Sequence, residues 1–187
     1  MKRVFQQPQT RAFSLIEMMI VVGMIAVMLV MFSVGLSTSF VSGELSTSAR
    51  QLARELEHGA QLATLRNRPV TVRFTSDLEE PDENYQGFQI GITDGATGEF
   101  VPTTGFFRFP GSVTIHRDER TSTLLRLAES NAAEFEFQFR ADGTTTLPKD
   151  EHWCVTLVRW EQGAASELPS NYRTVVVNPY NGSTTLY

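Results

Sequence analysis

The feature that most constrains this chain is one acid in an apolar run. From Phe13 to Leu36 every residue is apolar or small except Glu17, and a basic leader with Lys2, Arg3 and Arg11 stops at Ala12. About 24 such residues, rising ~1.5 Å each in a helix, cross the ~30 Å hydrocarbon layer of a bilayer. A charge in the middle of such a span costs a few kcal/mol or more, so Glu17 is read as functional by default.

Two general readings leave it unexplained. A secretory signal peptide has an apolar region of about 7–15 residues ending in a small-x-small cleavage site. This run is longer and is interrupted near its start, although Ser37-Thr38-Ser39 offers small residues for a late cut. A plain signal anchor uses the leader's cations to keep the N-terminus cytoplasmic and send the remainder across. That gives a topology and no use for Glu17.

The stretch Ala12-Phe13-Ser14-Leu15-Ile16-Glu17 resembles the cleavage and assembly signal of type IV prepilins and pseudopilins, whose usual form is Gly-Phe-Thr-Leu-Ile-Glu. The resemblance implies that a prepilin peptidase cuts the Ala12-Phe13 bond and that Phe13 becomes the N-methylated first mature residue. It also implies that Glu17, four residues on, meets the new α-amine of a neighbouring subunit. In a low-dielectric filament core such a pair attracts, while either charge alone is penalised. Ala12 departs from the usual glycine.

Beyond the run, residues 33–43 are rich in glycine, serine and threonine. Glycine weakens a helix by about 1 kcal/mol relative to alanine, so this segment is either a bend in a long helix or a membrane exit. From Glu44 an amphipathic stripe follows, with Leu45, Ala49, Leu52, Ala53, Leu56, Ala60 and Ala63 on one face. Asn67 and Pro69 end it.

What comes next alternates as strands do. Residues 70–75, 88–92, 112–116 and 134–140 have the pattern, with Phe135, Phe137 and Phe139 on one face of the clearest case, and 152–160 and 172–178 read as longer apolar strands. Asp142-Gly143 and Asn181-Gly182 read as turns, the second closing a hairpin toward Tyr187. The expected fold class is α+β: a long N-terminal helix, half transmembrane and half amphipathic, packed on an antiparallel β-sheet head. The expected organisation is a leader over 1–12, an assembly helix over 13–36, its amphipathic continuation over 37–66 and a periplasmic head over 67–187.

The helix-to-strand passage from Leu52 to Phe74, the segment Phe137-Gln138-Phe139-Arg140-Ala141-Asp142-Gly143, and Val175-Val176-Val177-Asn178 with Asn181-Gly182 extend the resemblance to the GspH/FimT-like minor pseudopilins. This implies a minor pseudopilin of a type II secretion system in the bacterial inner membrane. Its implied partners are other pseudopilins or pilins through the N-terminal helix, the prepilin peptidase and the inner-membrane assembly platform. The alternative is a FimT-like minor pilin of a type IV pilus, with a part in DNA uptake. Glu17 speaks against the pseudopilus tip subunit, which typically lacks that acid.

The remaining polar groups suggest no separate chemistry. Asp77, Glu79, Glu80, Asp82 and Glu83 crowd one loop without the Asp-x-Asp-x-Asp-Gly order of a calcium loop, and read as a solvated acidic loop. His152 and Cys154 fall on one strand face, but no second pair at zinc-like spacing exists, and His58 and His116 stand alone. No metal and no cofactor is expected. No nucleophile elbow, phosphate loop or metalloprotease motif is present, and no enzyme is expected. The single cysteine excludes an intramolecular disulfide.

Arg117, Arg120 and Arg126 make a small basic cluster, but no lysine or arginine follows Arg173. The formal charge is −5, and removing residues 1–12 with their three cations leaves 13 basic against 21 acidic residues, or −8. Binding to nucleic acid needs basic groups to displace counterions, so no nucleic acid partner is expected.

Overall fold

A computed structural model describes residues 14–76, 85–94, 97–128 and 134–187, with the side chains of 32–42 outside the description. The chain divides into two units, Met1–Phe40 and Val41–Tyr187. Helix α1 spans Leu15–Arg66, 52 residues. Its backbone is helical in the glycine- and serine-rich segment as well. Gly35 and Gly43 each cost only about 1 kcal/mol, which the helical bonds around them offset. The helix ends in a full glycine-type cap built on asparagine: Asn67 takes φ 51°, its N–H donates to the Thr64 carbonyl at 3.3 Å, and the Arg68 N–H donates to the Ala63 carbonyl at 3.2 Å. Pro69 then follows the stop instead of causing it.

Among the described residues of the second unit, nine strands form two antiparallel sheets. The first holds β1 (Val70–Ser76), β2 (Tyr85–Thr93), β3 (Phe100–Pro102), β4 (Phe107–Arg108) and β6 (Glu134–Phe139) in the order β3-β2-β1-β6, with β4 also on β2. The second holds β5 (Val113–Ile115), β7 (Trp153–Arg159), β8 (Arg173–Val177) and β9 (Thr184–Leu186) in the order β5-β7-β8-β9. The alternating segments and the two longer apolar ones predicted from sequence all hold strands. The two short strands β3 and β4, and the 3-10 turns at Thr123–Leu127 and Trp160–Gln162, carry too little periodicity to have been read.

One core joins the helix to both sheets. Leu45, Ala49, Leu52, Leu56 and Ala63 of the predicted stripe are buried, and Ala53 and Ala60 pack against them. They meet Val70, Val72 and Phe74 of β1, Ile90 of β2 and the three phenylalanines of β6, with Val155, Leu157, Val175 and Val177 from the second sheet. Register explains the match: Phe74 faces Phe88 on one side and Phe135 on the other, so all three rings share the inner face. Phe74 and Phe135 stack at 4.6 Å. On the outer face Arg73 lies 2.9 Å from Glu136 and 3.6 Å from Glu134, with its guanidinium 4.3 Å from the Phe100 ring centre.

The two predicted glycine turns meet at Phe139. Gly182 has φ 64°, and a Cβ there would lie 3.0 Å from the Phe139 ring and 3.3 Å from the Gly143 carbonyl. From the other side, Gly59 of α1 sits where a Cβ would be 3.4 Å from the same ring. Phe139 is fully buried between them. The Thr145 N–H and hydroxyl both donate to the Pro179 carbonyl, each at 3.2 Å, tying the turn after β6 to the turn after β8. The last strand also reaches the helix: Thr184 Oγ1 lies 3.3 Å from the Ala53 carbonyl and 3.1 Å from Glu57 Oε1.

Candidate functional site: the apolar helix and its first turn

The first turn of α1 is set by Ser14. Its Oγ accepts from the Glu17 N–H at 3.2 Å, and its carbonyl accepts from the N–H of Met18 at the same distance. Ser14 is thus the N-cap and Glu17 the third helical residue, the Ser-x-x-Glu order of a capping box. A carboxylate in the first turn also faces the positive end of the helix dipole. Reading Glu17 only as a partner for another subunit missed this local role, although the spacing from Ser14 was visible.

Every described side chain from 14 to 31 is exposed in the isolated chain. Fourteen of these are large and apolar, among them Leu15, Ile20, Ile25, Leu29 and Met31. They surround the helix instead of forming a stripe, which marks a helix covered on all sides by other apolar matter. At roughly 1.5–3 kcal/mol each, covering them is worth on the order of 20–40 kcal/mol, far above the few kcal/mol that one buried acid costs. Among the described residues no helix is long and apolar enough to cross a membrane. The sequence run goes on to Leu36 through positions whose side chains lie outside the description. Ala12 and Phe13 also lie outside it, as do Asp77, Glu79, Glu80, Asp82 and Glu83.

The head's own candidates resolve into structural roles. Where β5 ends, β7 has backbone donors with no strand beside them, and the segment Thr121–Thr123 supplies hydroxyls instead. Thr123 Oγ1 accepts from the Cys154 N–H at 2.8 Å, and Ser122 Oγ accepts from the Thr156 N–H at 3.1 Å. Thr156 Oγ1 donates to the Thr121 carbonyl. Cys154 takes part in this ledge, its thiol donating to the Thr121 carbonyl at 3.3 Å. His152 is exposed and contributes its carbonyl, which accepts from Thr123 Oγ1 at 2.7 Å.

His116 is fully buried, with Nε2 3.0 Å from the Ala165 carbonyl and Nδ1 2.6 Å from Thr121 Oγ1. A carbonyl only accepts, so Nε2 carries a proton. His58 is exposed on α1, 3.9 Å from Glu55. Among the described residues no three histidine, cysteine, aspartate or glutamate side chains gather as a metal site.

The basic cluster is largely neutralised. Arg120 grips Asp118 with Nη2 at 2.6 Å and Nε at 3.0 Å from both oxygens, and its hydrogen bonds hold the Asp118 carboxyl down to about 2. Arg126 pairs with Glu151 at 2.7 Å. Arg117 stands near Tyr85, whose phenol is pushed up by burial against the pull of that cation. Such paired groups have few counterions left to release to a phosphate backbone.

No family model matches the sequence, and no curated protein matches it. Two solved structures are similar. The type IV minor pilin FimU of Pseudomonas aeruginosa superposes with a TM-score of 0.52 at 16% identity, over 78% of this chain and 89% of that one. The fold is pilin-like. The minor pseudopilin EpsH from the type 2 secretion system of Vibrio cholerae aligns with a TM-score of 0.49 at 12% identity, over 77% of this chain and 96% of that one, which adds nothing to the assignment. A pilin-like fold is an N-terminal helix packed on antiparallel sheets, the architecture expected from the sequence.

Proposed function

We propose that this chain is a structural subunit of a pilin-type filament, not an enzyme. The observation that carries the reading is an all-round apolar helix, capped at Ser14 with Glu17 in its first turn, continuing into a pilin-like head. Before assembly, residues 13–36 anchor the chain in the inner membrane with the leader cytoplasmic and the head periplasmic. A prepilin peptidase cuts Ala12-Phe13 and the new N-terminus is methylated. Within the filament, apolar faces of neighbouring helices replace lipid, and Glu17 neutralises the amine of an adjacent Phe13, which sets the register between subunits.

The finer assignment is a GspH-like minor pseudopilin of a type II secretion system, partnered by other pseudopilins and the assembly platform. The likeness of this chain to the minor pilin FimU favours a second reading, a FimT-like minor pilin of a type IV pilus. DNA uptake fits poorly, given the paired arginines and the absence of lysine or arginine after Arg173.

Mass spectrometry of the N-terminus, from cells with and without the peptidase, tests the reading. A mature chain beginning at methylated Phe13 only when the peptidase is present is expected. A chain still starting at Met1 in peptidase-positive cells overturns the filament mechanism.

A further inference from the structure

The head carries a groove of about 330 Å³ between α1 and the β3–β4 connection, lined by Glu55, Phe88, Thr104, Gly105, Phe106 and Phe107. Its far wall is fixed to β2. The Thr103 and Thr104 N–H groups both donate to the Ile90 carbonyl, Thr104 Oγ1 accepts from the Ile90 N–H, and the Thr104 carbonyl accepts from Gln89 Nε2. Gly87 lets that wall close in, since a Cβ there would sit 2.0 Å from the Phe107 carbonyl and 2.8 Å from the Phe106 ring. Phe106 nevertheless stays 44% exposed, and the space beside Gly105 is open.

We propose that this groove docks a cationic side chain, arginine or lysine, presented by an extended segment of a different protein. Its chemistry is the exposed Phe106 ring, backed by Phe107 and the buried Phe88, with the single carboxylate of Glu55 in the lining, the combination that attracts a cation with an apolar stem. Among the described residues the only ionic partner of Glu55 is His58, at 3.9 Å with both side chains well exposed to water. A second copy is the poorer occupant. Residues 41–187, with 13 basic against 20 acidic side chains, carry a formal −7, so two copies repel where a basic partner is drawn in. The inference stands on the head alone and does not depend on the filament reading.

The test is a titration of the detergent-solubilised, 15N-labelled full chain with acetyl-glycyl-arginyl-glycine amide and with the same peptide carrying uncharged citrulline. Saturable shifts of the Gly105 and Phe106 amides are expected with the arginine peptide. They should weaken about two- to fivefold with citrulline, with Glu55→Gln and with Phe106→Ala, and weaken as salt rises. Equal binding of both peptides, or no saturable shift with either, overturns the proposal. Groove shifts that appear on concentrating the protein without peptide also overturn it, because they assign the groove to a second copy.

Discussion

Two glycines with the same backbone sign play unequal parts in this head. Gly143 and Gly182 both have positive φ, but a Cβ on Gly143 meets nothing within 4 Å, whereas one on Gly182 meets the Phe139 ring at 3.0 Å. Alanine at Gly143 is therefore expected to cost only the left-handed backbone penalty, about 1–2 kcal/mol. Alanine at Gly182 adds the strain of overpacking and should cost roughly 2–4 kcal/mol. Urea unfolding of the two variants in detergent checks the order, and equal midpoints would remove Phe139 from its place between the turns. Both Asp-Gly and Asn-Gly were legible as turns, but which one packs against a ring depends on a contact between segments about forty residues apart. No local pattern records that.

Acid response is also set residue by residue. The Asp118 carboxyl titrates at about 2 when folded, below its ordinary value of 3.8, because Arg120 hydrogen-bonds the charged form. A depressed acid stabilises the fold above its unfolded pKa, and this contribution fades as pH falls through ~4 toward ~2. Asp118→Asn should flatten the drop in urea midpoint across that window. Because the pair sits at the surface, the difference should shrink in high salt.

At the level of elements, strand β7 is stabilised on one side by a strand and then by three hydroxyl-bearing residues. Ser122→Ala leaves the Thr156 N–H without its acceptor, and Thr156 is buried. An expected loss of about 1–3 kcal/mol, seen as a lower unfolding midpoint, follows from an unsatisfied buried donor. A loss below about 0.5 kcal/mol would show that water replaces the hydroxyl. Strands β1, β2, β5 and β6 were readable from alternation, β7 and β8 from longer apolar runs and β9 from the Asn-Gly turn before it, and the helix face because its stripe repeats. The ledge was not. Thr121-Ser122-Thr123 reads as a polar loop, and only the early end of β5 at Ile115 gives those hydroxyls a row of donors to meet. The division into two sheets was equally hidden, since alternation reports a strand's faces and not its neighbours.

For the whole molecule, the decisive asymmetry is between a helix segment with apolar side chains on every side and a head that closes a core of its own. Glu17→Leu should leave membrane insertion intact, because it removes the one acid in the apolar run. It should abolish or strongly reduce incorporation into filaments, scored by shearing and immunoblotting. Filaments formed at the normal level by that variant would leave Glu17 with only its first-turn role beside Ser14. A Ser14→Ala companion, which loses the cap and about 1 kcal/mol of helix-end stability, distinguishes that role from pairing between subunits.

The bond from Thr184 to the Ala53 carbonyl spans 131 residues of sequence. A ribosome makes Ala53 131 residues before Thr184, so that face of α1 waits through the intervening synthesis for the strand that covers it. A nascent or truncated product stopping before β9 presents a sticky, half-dressed helix to chaperones and proteases. Such a seam opens more readily and is the kind of surface on which chaperones and proteases act.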